Sequence, residues 1–330
     1  MNDEFYMRLA LEVAWEFQGL TYPNPAVGCV ICSCHGEILA IEAHQQAGQA
    51  HAEVRALKAA LARLNPSLVF PKDPVLLHAF LLSSHQDLLK DASVYVTLEP
   101  CNHYGSTPPC ALLLEALHVK RVCIGMGDEN PKAKGGAVRL QEAGVEVVQG
   151  VLKEECALLL APFLAWQQGH FSFFKVAMSN NGVIDGGVVT SEASRKRVHA
   201  LRQHLSLLAI GGNTVRTDRP ILDARLCGGK APDVLIYSRQ KAFDSTIALF
   251  GVPKRKVYIA ASWELLLQSP YAMIEGGEGT LDILPEATKW LLVFRSPHFK
   301  EGRHINIARA FKRVWQGTCG EDMMEWYLRV

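Results

Sequence analysis

The alternation of apolar and polar positions changes character near the middle of the chain. Through residues 1–150 short apolar runs alternate with longer mixed segments, which predicts helix at 3–18, strands at 27–31 and 38–41, helix at 52–64, strand at 93–98, helix at 108–118, strand at 121–125, helix at 135–143 and strand at 145–148. Strands alternating with helices imply a sheet covered by helices. The 52–64 segment, rich in Ala, Leu, Lys and Arg, is the best helix former. Between about 62 and 90, Val75-Leu76-Leu77 and Phe80-Leu81-Leu82 are too apolar for a solvated loop, so a small helical insertion that packs on the domain or on a partner is expected. Residues 153–167 read as an amphipathic helix and Gln167-Gln168-Gly169-His170 as a boundary, while Phe173 to Ser179 alternates poorly, as a buried strand does. The expected division is 1–150, a connecting helix and linker at 151–170, and a second domain at 171–330.

Composition narrows the class. A chain of 330 residues exceeds the size at which a single core stops growing, so two domains are expected. A net charge of +1 without a basic block argues against a nucleic-acid footprint. No apolar stretch reaches the length of a membrane span, and Met1-Asn2-Asp3-Glu4 is acidic where a secretory signal is basic, so a cytoplasmic protein is expected. Nine cysteines, an odd number, read as two metal ligands plus free thiols rather than a disulfide framework.

The chemistry is concentrated in His51-Ala52-Glu53, followed by Pro100-Cys101 and Cys110. Imidazole and two thiolates suit Zn²⁺, and three protein ligands leave a fourth position for water. Glu53 as a further ligand would fill that position, so it reads as the proton shuttle between an attacking water and a leaving amine. Two residues apart in mid-helix point in nearly opposite directions, so His51 and Glu53 belong at a helix entry. A closed zinc knot would need a fourth ligand, for which Cys29, Cys32 and Cys34 are available; the unattached carboxylate argues against it. H-x-E with a downstream P-C-x-x-C is the signature of zinc nucleobase deaminases, which this set of residues resembles.

Eight residues, Asn102 to Pro109, separate the two cysteines, where a compact deaminase has two. The run from Thr97 to Cys110 (TLEPCNHYGSTPPC) resembles the zinc loop of the RibD family, bifunctional deaminase-reductases of riboflavin biosynthesis, and Pro23-Asn24-Pro25-Ala26-Val27-Gly28 is similar to that family's P-N-P-x-V-G stretch. Thr107 with two prolines reads as a helix start that sets Cys110 in the first turn, where the helix dipole favours its thiolate. The resemblance implies a cytidine-deaminase-like α/β/α sandwich followed by a dihydrofolate-reductase-like α/β domain. It also implies that Asn24, His44 and His103 surround the substrate base.

In the second half, Thr190, Arg202, the run Ile210 to Pro220, Arg225 and Ile274-Glu275-Gly276-Gly277 follow the family's order. The resemblance implies that Arg202 and Arg225 hold a substrate phosphate, with Glu275 also on the substrate side, and that Lys175, Thr190, Thr214, Asp218, Gly276 and Gly277 line an NADPH site. Bidentate arginine is suited to phosphate. Two departures weigh against reductase activity: Ser179-Asn180-Asn181-Gly182 stands where the family has Ser-Leu-Asp-Gly, and Gly186-Gly187-Val188-Val189-Thr190 stands where it has Ser-x-Trp-Ile-Thr.

The leading expectation is therefore a Zn²⁺- and NADPH-dependent enzyme acting on a phosphorylated pyrimidine, self-associating as a homo-oligomer. The alternatives are a deaminase whose C-terminal domain only binds substrate or mediates dimerisation, a zinc-stabilised binding protein, and a free-base, nucleoside or tRNA deaminase, against which the long spacer and second domain weigh.

Overall fold

The computed structural model describes residues 2–105, 108–130 and 134–330, in two compact units, Met1–Phe163 and Leu164–Val330. The first contains α1 (Asp3–Trp15), β1 (Gly28–Cys32), β2 (Ile38–Ala43), α2 (Ala52–Leu64), α3 (Pro74–Ser84), β3 (Ser93–Leu98), α4 (Cys110–Ala116), β4 (Arg121–Met126), α5 (Gly136–Glu142) and β5 (Glu146–Gln149). Its sheet runs β2-β1-β3-β4-β5, with β1 antiparallel to both neighbours and β3, β4 and β5 parallel.

Successive strand residues point to opposite faces, and here both faces are covered. Cys29, Ile31, Val94, Val96, Val122 and Ile124 join a core with α2, α3, α4 and α5. The intervening Val30 and Tyr95 are equally buried, and Tyr95 stacks on Tyr6 of α1 at 4.8 Å. Helix α1 is also fixed by Arg121, which donates to both carboxylate oxygens of Asp3 at 2.6 and 2.9 Å. It approaches β1 so closely that a Cβ at Gly28 would lie 1.9 Å from the carbonyl oxygen of Ala10, which makes the glycine of the P-N-P-x-V-G stretch a packing requirement.

The apolar insertion forms α3. Pro74 occupies its first turn, and Asp73 caps it by accepting from the amides of Val75 and Leu76, both at 2.9 Å. Leu77, His78 and Leu81 are buried, whereas Val75 and Leu76 face solvent.

Helix α6 (Lys153–Gln167) passes from one unit into the other. The second unit contains β6 (Phe171–Met178), α7 (Glu192–Arg202), β7 (Leu207–Gly211), α8 (Gly212–Asp218), β8 (Asp233–Tyr237), β9 (Val257–Ala260), α9 (Glu264–Leu267), β10 (Tyr271–Glu275), α10 (Glu278–Leu281), β11 (Trp290–Arg295), β12 (Phe311–Cys319) and β13 (Asp322–Arg329). Its eight strands run β12-β13-β11-β6-β10-β7-β8-β9. Six are parallel, and the terminal hairpin β12-β13 adds two antiparallel strands at one edge. Phe173 and Phe174 of β6 are both fully buried, as expected for a strand covered on both faces.

Candidate active site

His51 is the N-cap of α2, with an extended backbone (φ −64°, ψ 163°), and Glu53 lies in the first helical turn. This change of conformation turns the two side chains toward one point. Cys101 follows β3, and Cys110 opens α4. His51 Nδ1 lies 3.7 Å from Cys101 Sγ and 3.4 Å from Cys110 Sγ, with all three donor atoms within 4.8 Å. Ligands at Zn–S and Zn–N lengths of about 2.3 and 2.1 Å and a tetrahedral angle stand about 3.6 Å apart, so the set fits zinc. Among the described residues no fourth histidine, cysteine or carboxylate joins this group, which removes the closed knot.

The two thiols are not equivalent. Cys101 is pulled down to about 4, first by the Cys110 thiol that hydrogen-bonds to it and then by His51. Cys110 is pushed well up, because a second thiolate would sit beside the first. What α4 supplies is the amide of Cys110, which donates to Cys101 Sγ at 3.4 Å. Thr107, expected at the helix start, lies outside the described residues, and the helix begins after Pro108 and Pro109. Glu53 is 4% exposed, and burial pushes its carboxyl up to about 7. For His51, burial is outweighed by Cys101 and Glu53, leaving its pKa raised.

Asn24 and His44 meet beside this centre. The Asn24 side-chain nitrogen is 3.1 Å from His44 Nε2, and His44 Nδ1 is 3.2 Å from the carbonyl oxygen of Ala50. A carbonyl only accepts, so Nδ1 carries the proton; with burial pulling the ring down to about 4, Nε2 is a lone pair that accepts from Asn24. The Asn24 carbonyl oxygen is thereby left for another partner. His103, by contrast, is exposed on the loop after Cys101.

Glu99 was missed in the sequence reading, although it stands in the TLEPC run. Its carboxylate accepts from the amides of Asp128, Gly135 and Ala137 at 3.0, 3.0 and 2.9 Å, tying the loop that carries Cys101 to the segment leading into α5 and to its first turn. Gly136 reinforces this, since a Cβ there would lie 1.8 Å from the carbonyl oxygen of Pro100.

In the second unit a cavity of about 710 Å³ collects Lys175, Thr190, Arg202, Thr214, Asp218, Glu275, Gly276 and Gly277, together with Arg195. It lies at the carboxyl ends of β6, β10 and β7, where open α/β sheets bind ligands. Lys175 and Glu275 are register partners on adjacent parallel strands and pair at 3.1 Å. Arg202 approaches from α7 and grips Glu275 through Nε and Nη2 at 2.9 and 3.0 Å, while Nη1 donates to the carbonyl oxygen of Asp223. Burial alone would raise the Glu275 pKa, but Arg202 and Lys175 hold it at about 2. Asp218 is pushed up by burial, and His199, beside Arg202, is pushed down to about 4, mainly by burial. Arg225 is not among the cavity's lining residues; it is half exposed and pairs with Asp223 at 2.5 Å.

The amide at Asn181 has a structural explanation. Its oxygen accepts from the Ser179 hydroxyl and the Lys300 amide at 2.7 and 3.0 Å, and its nitrogen donates to the Lys300 carbonyl at 2.8 Å. A carboxylate could not make the last bond. Gly186 and Gly187 both adopt positive φ (79° and 88°), and Val188 beside them is exposed, so no bulky ring covers the cavity at this point.

Comparison with known proteins places these features. The zinc-binding region of cytidine and deoxycytidylate deaminases matches residues 1–126. The riboflavin biosynthesis protein RibD of Actinobacillus pleuropneumoniae is 38% identical over 248 residues, covering 73% of this chain but only 59% of its own length. The RibD of Corynebacterium ammoniagenes is 32% identical over 311 residues, covering 88% of this chain and 85% of its own. A crystal structure of a diaminohydroxyphosphoribosylaminopyrimidine deaminase/5-amino-6-(5-phosphoribosylamino)uracil reductase from Thermotoga maritima superposes with a TM-score of 0.65 at 26% identity, covering 99% of both chains. Among the described residues no helix is long and apolar enough to cross a membrane.

Proposed function

The chain belongs to the RibD family, and from that premise we propose that it catalyses two steps of riboflavin biosynthesis. The first unit hydrolytically deaminates 2,5-diamino-6-ribosylamino-4(3H)-pyrimidinone 5′-phosphate. The second reduces the ribosyl group to the ribityl chain with NADPH. The observation that carries the reading is the convergence of His51, Cys101 and Cys110 at ligand spacing with Glu53 buried one helical step away.

His51, Cys101 and Cys110 would hold zinc, which when bound supplies the Lewis acidity that lets water attack near neutral pH. Glu53 accepts the proton of the water as its oxygen bonds to the ring carbon bearing the 2-amino group. It then delivers that proton to the nitrogen as the C–N bond breaks and ammonia leaves. Low exposure keeps Glu53 from exchanging the proton with bulk water. Asn24, oriented by His44, presents its carbonyl oxygen to a donor on the pyrimidine edge. His103, on the exposed loop, would meet the substrate from the solvent side.

In the second unit Lys175, Thr190, Thr214, Asp218, Gly276 and Gly277 would line the NADPH side of the cavity, with Arg202 and Glu275 toward the sugar. Because Arg202 is already held by Glu275, its role is to present its remaining N–H groups, and Arg195 supplies a further cation for phosphate. Arg225, outside the lining, would reach phosphate only by leaving Asp223. The uncovered cavity at Gly186 and Gly187 favours a second reading, a deaminase whose C-terminal unit only binds substrate or supports a dimer. We place the enzyme in the cytoplasm as a homo-oligomer, the latter checked by light scattering.

Zinc-loaded protein given the diaminopyrimidinone ribosyl phosphate and NADPH separates the readings. Ammonia release with NADPH oxidation supports the bifunctional enzyme; ammonia alone supports the second reading; neither signal overturns both.

A further inference from the structure

The insertion carrying α3 brings one polar side chain into the core behind the metal centre. His78 is fully buried between Leu77 and Leu81 of the same helix, and its Nε2 lies 3.3 Å from the carbonyl oxygen of Pro109. That oxygen only accepts, so Nε2 carries the proton and Nδ1 is left with a lone pair. Among the described residues the buried Nδ1 has no hydrogen-bond partner. A leucine would fill the position without stranding a polar atom, so packing alone does not account for histidine here.

The Pro109–Cys110 peptide explains what the hydrogen bond accomplishes. In a trans peptide the C=O and N–H are rigidly coplanar and point in opposite directions. His78 grips the oxygen end, and the nitrogen end is the Cys110 amide that donates to Cys101 Sγ at 3.4 Å. The Leu113 amide also reaches the Pro109 oxygen, at 3.4 Å, so the plane is held from within α4 and, through His78, from α3 as well.

The geometry points to His78 as a positioning residue for the metal centre: through the Pro109–Cys110 peptide plane it delivers an N–H to the Cys101 thiolate and fixes Cys110 as a ligand. The insertion thereby acquires a role, bracing the ligand-bearing turn of α4 from behind. The inference rests on the reading of His51, Cys101 and Cys110 as a zinc site.

The test compares the full-length protein with His78→Leu, which fills the space, and His78→Gln, whose terminal amide can restore the donor at Nε2. Zinc content is measured first, then the rate at which a chromophoric chelator withdraws zinc, and then the thiolate-to-metal charge-transfer band of the Co²⁺-substituted forms. His78→Leu should lose zinc about tenfold faster, in line with the loss of an outer-shell partner, and its band should move to lower energy as Cys101 loses its hydrogen bond. His78→Gln should restore both, with the metal-free melting temperatures of all three alike. Wild-type release and an unmoved band in His78→Leu would overturn the bracing role while leaving the zinc site intact. A melting temperature that falls in step with zinc loss in both variants would reduce His78 to packing. Wild-type protein that binds no zinc would instead remove the metal-centre reading, and this inference with it.

Discussion

Replacing Glu275 with glutamine isolates the electrostatic part of the Lys175–Glu275–Arg202 cluster. The change keeps the shape and a hydrogen-bonding oxygen but leaves two cations, 12% and 11% exposed, without their counter-charge. A carboxyl held at about 2 rather than 4.5 contributes about 3 kcal/mol of stability at neutral pH. Breaking a buried pair by removing one partner costs about the same, roughly 3–5 kcal/mol. For a unit of this size the loss corresponds to a melting point lower by roughly 6–12 °C. Because the folded pKa is depressed, this stability is fully present above pH 4.5 and is lost as pH falls toward 2, with roughly 40% gone by pH 3.5. Five of the six tryptophans lie in the second unit, so urea unfolding followed by tryptophan fluorescence reports on it directly. The gap between wild type and Glu275→Gln should be near its full value at pH 7 and shrink at pH 3.5. A gap below about 1 kcal/mol at pH 7, or one of the same size at both pH values, would refute the assignment of charge to this cluster.

Three further outcomes are expected. Glu53→Gln should retain zinc by metal analysis while ammonia release falls by roughly 10²–10⁴-fold; retained turnover would remove the proton shuttle. Asn181→Asp, which restores the residue usual in the family, should destabilise the second unit by about 1–3 kcal/mol in the same urea assay, since a carboxylate turned toward the Lys300 carbonyl cannot donate to it. Arg202→Ala should lower both stability and NADPH-dependent turnover, whereas Arg225→Ala, half exposed, should leave stability within about 0.5 kcal/mol, a contrast that thermal melts and initial rates check together.

The first unit was legible because its candidate chemistry is local. Ala52–Leu64 and Ser93–Leu98 coincide with the segments their composition indicates, and the need for His51 and Glu53 to converge puts them at a helix entry, where they lie. Helix ends were less legible: α1 stops at Trp15, because the chain turns there rather than at the next polar residue, and α4 starts at Cys110 after two prolines. The second half depends on pairings distant in sequence. Lys175 and Glu275 are one hundred residues apart and meet only because β6 and β10 are neighbours, and nothing in either segment announces it. Arg202 shows the same limit: its sequence position suggested an open phosphate ligand, whereas Glu275 already occupies its fork. Strands β7 to β13 escaped the reading, because short apolar runs do not by themselves announce strands.

The Glu99 clamp has a consequence for how such a protein can diversify. Three amides from a distant segment hold the chain just before Cys101, and α4 holds it from Cys110 onward, so both ends of the eight-residue spacer are anchored independently of its contents. The entropy of closing a loop rises only slowly with its length. Residues in the middle of the spacer, between Asn102 and Pro109, can therefore be exchanged, added or removed with little displacement of the ligands, and selection can explore new contacts there while the ligand set is inherited unchanged.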